Sequence, residues 1–164
     1  MKKVFIIRHA KSDQSFFGND FERPLNERGK NDAPIMAKRL LEKYSGIDAF
    51  ISSPAKRAKK TAEFFAAAYG QSAEQLMLIS ALYQAGPEVF YEVTAGLPDK
   101  LSKVALFSHN PGITYFINDL NTGTEIDNMP TCGIFAVQAD ITHWSGFAKA
   151  KKELLFFDYP KLSV

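Results

Sequence analysis

Val4-Phe5-Ile6-Ile7-Arg8-His9 passes directly from four apolar residues to an arginine and a histidine. A run that short and that apolar predicts a buried strand beginning almost at the N-terminus. With Met1-Lys2-Lys3 ahead of it the segment superficially suggests a secretory leader, but the apolar run is too short and ends in two polar residues. Two later segments repeat the arrangement. Ala49-Phe50-Ile51 runs into Ser52-Ser53-Pro54 with Arg57 shortly after, and Val104-Ala105-Leu106-Phe107 runs into Ser108-His109-Asn110-Pro111-Gly112. Ligands of open α/β sheets bind beyond the carboxyl ends of strands, so Arg8, His9, Arg57 and His109 are expected to converge.

Between these strands the period changes to that of helices. From Asn26 onward Ala33, Met36, Ala37, Leu40, Leu41 and Tyr44 share one face, and Gly46 is a stop. Ser53-Pro54 reads as a serine cap with proline at the first helical position, which puts Arg57 at the fourth. That helix presents Ala58, Ala62, Phe65 and Tyr69 inward and ends at Gly70. Residues 76–79 read as a short strand, Pro87 opens a helix to about Thr94, and Ile113, Phe116, Ile117 and Leu120 mark another. Residues 133–139 and 153–157 read as the last two strands. The alternation predicts an α/β protein: a three-layer sandwich with a mostly parallel central sheet and helices on both faces, one domain over residues 1–164. Residues 11–25 lack periodicity and form a polar and aromatic loop of a length that is commonly functional.

Composition narrows the function classes. A chain of 164 residues, 46% hydrophobic, buries one sizeable core and leaves little room for a second domain. The net charge of +2 is spread out, densest at Lys56, Lys59 and Lys60 and at Lys149, Lys151 and Lys152, and does not call for a nucleic-acid partner. No stretch is long and apolar enough to cross a bilayer. Cys132 is the single cysteine, so an internal disulfide is impossible, as suits a reducing compartment, and paired-cysteine metal spacings are impossible too. A monomeric, cytoplasmic protein without cofactor, metal, nucleic acid or membrane partner is expected. Trp144 and the aromatic run at Phe156-Phe157 read as core packing; Cys132 and His143 fit no reactive pattern.

Arg57 is the most informative single residue. The start of a helix disfavours a cation, unless an anion is bound there that guanidinium and helix terminus serve together. Taken alone, each residue has a plainer explanation: Arg57 as a surface or salt-bridge arginine, His9 as a structural histidine, His109 as part of a turn capped by Asn110. Their occurrence at three equivalent strand ends favours one shared anion site.

Four blocks carry a family resemblance: Ile6-Ile7-Arg8-His9-Ala10-Lys11-Ser12, Arg23-Pro24-Leu25-Asn26-Glu27-Arg28-Gly29, Ser52-Ser53-Pro54-Ala55-Lys56-Arg57-Ala58-Lys59-Lys60-Thr61-Ala62 and His109-Asn110-Pro111-Gly112. In this order they resemble the histidine phosphatase superfamily, and within it the small SixA-type phosphohistidine phosphatases. The resemblance implies a phosphoglycerate mutase-like fold. It implies that His9 is a nucleophile forming a phosphohistidine intermediate, that Arg8 and Arg57 clamp the phosphoryl oxygens, and that His109 donates to the same group. Arg23 would extend the binding rim and Arg28 would order the loop. Ala10 stands where the family usually has glycine.

One departure bears on substrate. Ester-cleaving relatives use a Glu or Asp acid, and the segment Ser80-Ala81-Leu82-Tyr83-Gln84-Ala85 that aligns with its usual place has none. An alkoxide needs a proton in order to leave, whereas imidazole, with a reference pKa of about 6.5, departs far more easily. The expected activity is therefore metal-independent hydrolysis of phosphohistidine, on histidine-phosphorylated proteins or on a small phosphorylated substrate. The rivals are an ester phosphatase with a relocated acid, Glu88 first and Glu22 or Asp20 next, and a phosphoprotein-binding module without turnover.

Overall fold

The opening apolar run forms β1 (Lys2–Arg8), in which Val4, Phe5, Ile6 and Ile7 are all fully buried, as a strand covered on both faces requires. In the computed structural model, which describes residues 1–162, β1 pairs in parallel with β4 (Lys103–Ser108) and antiparallel with β5 (Ile134–Ala139). Beyond β4 lie β2 (Ala49–Ser52) and the two-residue β3 (Met77–Leu78), both parallel; β6 (Glu153–Asp158) closes the other edge antiparallel to β5. The six strands run in the order β3-β2-β4-β1-β5-β6. The expected strand at residues 76–79 is thus reduced to its middle.

Alternation along the strands divides the core in two. Phe5, Ile7, Phe50, Ala105 and Phe107 face α1 (Glu27–Lys43) and α2 (Lys56–Ala68), packing on Met36, Leu40, Ala62 and Phe65. Val4, Ile6, Ile51, Val104 and Leu106 face α3 (Pro87–Ala95) and α4 (Gly112–Asp119), among Phe90, Phe116 and Trp144. Trp144 is fully buried and donates its indole N–H to the Leu101 carbonyl at 2.8 Å, a core residue with its polar handle satisfied. No helix among the described residues is long and apolar enough to cross a membrane.

Helix starts decide where the strand-end residues point, and the start of α2 differs from the expected one. Ser53 and Pro54 precede the helix, Ala55 is its N-cap without a side-chain bond, and Arg57 is the second helical residue rather than the fourth. Likewise Pro111, not Asn110, precedes α4, while Asn110 Oδ1 accepts from the Thr114 hydroxyl. Ser53 Oγ lies against His109 and accepts from Ala55 N–H, one residue ahead of the helix, while Asn110 is bonded to Thr114 and Asn128. Asn26 does cap α1, accepting from Gly29 N–H at 2.9 Å. Glycine is required at two contacts: a Cβ on Gly29 would lie 2.1 Å from the Lys11 carbonyl oxygen, and one on Gly112 only 1.7 Å from that of Ala85.

Candidate active site

Parallel pairing places the functional side chains side by side. The register matches Arg8 with Ser108 and Ser52 with Phe107, so the chains leaving β1, β4 and β2 emerge together. His9 N–H donates to the Ser108 carbonyl at 3.1 Å and Ser53 N–H to that of Phe107 at 3.0 Å, extending the sheet by one residue on either side. His9 and His109 consequently face each other with ring centroids 5.2 Å apart.

His9 is buried, with Nδ1 2.7 Å from its neighbour Ala10's carbonyl oxygen. A carbonyl only accepts, so Nδ1 carries the proton and Nε2 keeps its lone pair. Burial, then His109, Arg57 and Arg8, hold its pKa well below the ordinary histidine value, and the Ala10 bond opposes this only in part. His9 is therefore neutral at neutral pH. Thr61 fixes the backbone beneath it by accepting from Ala10 N–H at 2.9 Å while donating to the Arg57 carbonyl at 2.8 Å, which ties α2 to the end of β1.

Arg57, buried, donates from Nε to His9 Nε2 at 3.3 Å. Arg8 donates from Nη1 to the Met129 carbonyl at 2.8 Å, and its buried Nε has no protein partner. His109 is neutral as well, pushed down to about 3 chiefly by burial and then by Arg57. Its Nε2 lies 2.8 Å from Ser53 Oγ, and its Nδ1 is buried without a partner. If the serine hydroxyl donates to Nε2, Nδ1 bears the proton and is a free donor.

Two cavities meet at this cluster. A polar one of about 180 Å³ is lined by Arg8, His9, Arg23, Arg57 and His109 with Ser12. A larger cleft of about 430 Å³ shares Arg57, His109 and Asn110 and adds Asp20, Tyr83, Tyr115 and Pro111. Arg23 joins the site, bonding to the Ser12 hydroxyl and pairing with Asp20 at 3.0 Å. Arg28 pairs with Asp32 at 3.4 Å on α1. Glu88 is not brought to either cavity: it is exposed on α3 and lines a separate depression with Tyr91 and Asp119. Cys132 is buried, which pushes its thiol pKa up, and its N–H bonds the Arg8 and His9 carbonyls. Among the described residues no group of three or more His, Cys, Asp or Glu side chains could hold a metal ion.

The carboxylate at the site is Asp20. Tyr83 donates to its Oδ2 at 2.7 Å, and with Arg23 and Arg57 keeps the carboxyl far below the usual range, so it is an anion rather than a proton donor. Ser53, Thr61 and Tyr83 have no separate signal in the sequence. Ser53 shows there only as a cap, and Asp20 only as one of the candidate acids ranked after Glu88.

The cluster, two neutral histidines framed by arginines at the end of a mostly parallel sheet, is suited to hold an anion such as a phosphoryl group. Residues 4–79 match the family model of the histidine phosphatase superfamily (branch 1). An uncharacterized protein of Picosynechococcus is 31% identical over 67 residues, 40% of this chain and 41% of that protein, so the matched segment spans less than half of that relative. Among solved structures, a protein of Agrobacterium tumefaciens provisionally assigned as phosphohistidine phosphatase SixA superposes with TM-score 0.80 at 26% identity, covering 97% of this chain and 98% of that one. One from Nakamurella multipartitia with the same provisional assignment gives TM-score 0.80 at 23% identity, covering 98% and 97%. A protein histidine phosphatase SixA complexed with tungstate gives 0.78 at 21%, covering 96% and 97%. Residues 4–79 are thus similar to the histidine phosphatase superfamily, and the chain has a fold of the SixA kind.

Proposed function

We propose that the protein is a metal-independent phosphohistidine phosphatase acting through a covalent intermediate on His9. The observation that carries this reading is the pairing of a neutral His9, its Nε2 unprotonated and met by Arg57 Nε–H, with an ionised Asp20 as the carboxylate that lines the site. In the first step His9 Nε2 forms a bond to phosphorus as the bond to the leaving nitrogen breaks, and that nitrogen takes its proton from water. Arg8, Arg57 and the His109 Nδ1–H hold the nonbridging oxygens, supplying positive charge and donors to a transferring group whose charge spreads over those oxygens. In the second step water attacks phosphorus, inorganic phosphate leaves and His9 recovers its lone pair. Arg23 at the rim adds positive potential for the incoming anion.

An ester would need a proton on its alkoxide, and Asp20 is held in the wrong state to give one. A phosphoramidate needs it least, which favours phosphohistidine on proteins, reached through the larger cleft with Tyr83 and Tyr115 at its walls. The SixA likenesses, one of them to a protein holding the oxyanion tungstate, support the same reading. We place the activity in the cytoplasm, on a monomer. The test compares phosphate release from free phosphohistidine, a histidine-phosphorylated protein and a panel of phosphate monoesters, with chelator present throughout. Phosphoramidates should react fast and esters more slowly by about 10²-fold, the lower end of an acid–base contribution, and His9→Ala should abolish turnover of both. Preference for esters, loss of activity with chelator, or turnover by His9→Ala would each overturn the proposal.

A further inference from the structure

Arg57 is held from two sides. Its Nε–H points to His9 Nε2 at 3.3 Å, whereas both terminal nitrogens turn to one residue: Nη1 donates to the Asp20 carbonyl oxygen at 2.8 Å and Nη2 to Asp20 Oδ2 at 3.0 Å. A guanidinium is planar and offers its N–H groups in rigid forks. With both terminal nitrogens bonded to Asp20, Nε–H is the donor that faces His9. Asp20 is itself braced, by the Tyr83 hydroxyl on Oδ2 at 2.7 Å and by Arg23 Nε and Nη2 on Oδ1 at 3.2 and 3.0 Å. Tyr83 in turn packs edge-on against Phe21 and His109, with centroids 5.1 and 5.6 Å away.

Asp20 is about half exposed, and ion pairs of that kind contribute little to stability. What the arrangement does fix is the orientation of a long, rotamer-rich side chain at the reacting atom. We infer that Asp20 is a positioning residue for phosphoryl transfer, gripping the outer end of Arg57 so that its inner edge meets the phosphoryl group at His9. The inference rests on the phosphatase reading above. It gives the carboxylate two opposed effects. As a brace it raises kcat, because Arg57 is aimed where charge develops. As a negative charge beside an anion site it weakens ground-state binding of phosphate.

Free phosphohistidine as substrate and inorganic phosphate as competitive inhibitor separate the two effects. Asp20→Ala should lower kcat about tenfold or more while Ki for phosphate stays the same or falls. Asp20→Asn, which keeps an acceptor oxygen and the side-chain shape, should recover part of the kcat. In an Arg57→Ala background, Asp20→Ala should add no further loss, since the brace then has nothing to aim. Unchanged kcat in Asp20→Ala, losses that multiply with those of Arg57→Ala, or phosphate binding that weakens alongside kcat would overturn the inference while leaving the phosphatase reading intact. Should Arg57→Ala alone leave turnover unchanged, the phosphatase reading fails and the inference with it.

Discussion

Ser53 shows how much of a phosphoryl site is decided by single hydrogen bonds behind the reacting groups. His109 can donate from Nδ1 only while Nε2 is served as an acceptor, and Ser53 Oγ at 2.8 Å is the group that serves it. The same oxygen accepts from Ala55 N–H at 3.2 Å, so one hydroxyl fixes both the tautomer and the entry to α2. Ser53→Ala is expected to leave a buried imidazole nitrogen unpaired, at a cost of about 1–3 kcal/mol. With the tautomer released, phosphohistidine kcat/KM should fall by about tenfold or more, a loss of donor preorganisation. Urea unfolding and steady-state kinetics on the same variant check both parts. If both quantities match the unmodified protein, the assigned tautomer of His109 is wrong.

At the scale of elements, the site depends on how closely α4 approaches residues 85–86, and Gly112 is what permits it. A methyl group placed there would stand 1.7 Å from the Ala85 carbonyl oxygen, a backbone atom that can retreat only by moving the segment that bears Leu82 and Tyr83. Gly112→Ala is therefore expected to destabilise by about 1–3 kcal/mol, as overpacking does, and to reduce turnover by shifting His109 three residues upstream. Gly46→Ala, where nothing lies within 4 Å, should stay within about 0.5 kcal/mol; equal effects of the two in urea titrations would refute the close-approach argument. The strands and the helical faces were legible in the sequence because apolar periodicity reports burial, and the parallel edge that gathers Arg8, His9, Arg57 and His109 followed from strand ends alone. Helix starts were less legible. A serine before a proline looks like a cap, and only the fold shows that its hydroxyl is taken by a histidine 56 positions away. Asp20 was legible only as a candidate acid, and its pairing with Arg57 was hidden, since a loop carboxylate becomes that partner only when the chain from β1 to α1 folds back over the strand ends.

For the whole molecule, burying two neutral histidines in a ring of arginines makes stability depend on pH in a definite direction. His109 is pushed down to about 3 and His9 well below its ordinary value of 6.5, both chiefly by burial. Below pH 6.5 the unfolded chain takes up protons on these residues while the native protein does not. Stability rises with pH wherever the unfolded state binds more protons, so each histidine's contribution is complete above about pH 6.5 and is lost progressively as pH falls from there towards the folded pKa. The slope approaches about 1.4 kcal/mol per pH unit for each histidine once the unfolded group is fully protonated. Asp20, whose carboxyl is depressed by Tyr83 and the arginines, acts in the same sense only below the ordinary carboxylate range. Between pH 6.5 and 4.5 the histidines should therefore dominate, and urea midpoints should fall steadily over that interval. A variant with glutamine at both positions, His9→Gln with His109→Gln, keeps polar side chains in the site but removes the titrating groups, and should flatten the curve there. An undiminished slope in that variant would mean that the acid sensitivity arises elsewhere and that these histidines are not held neutral by the fold.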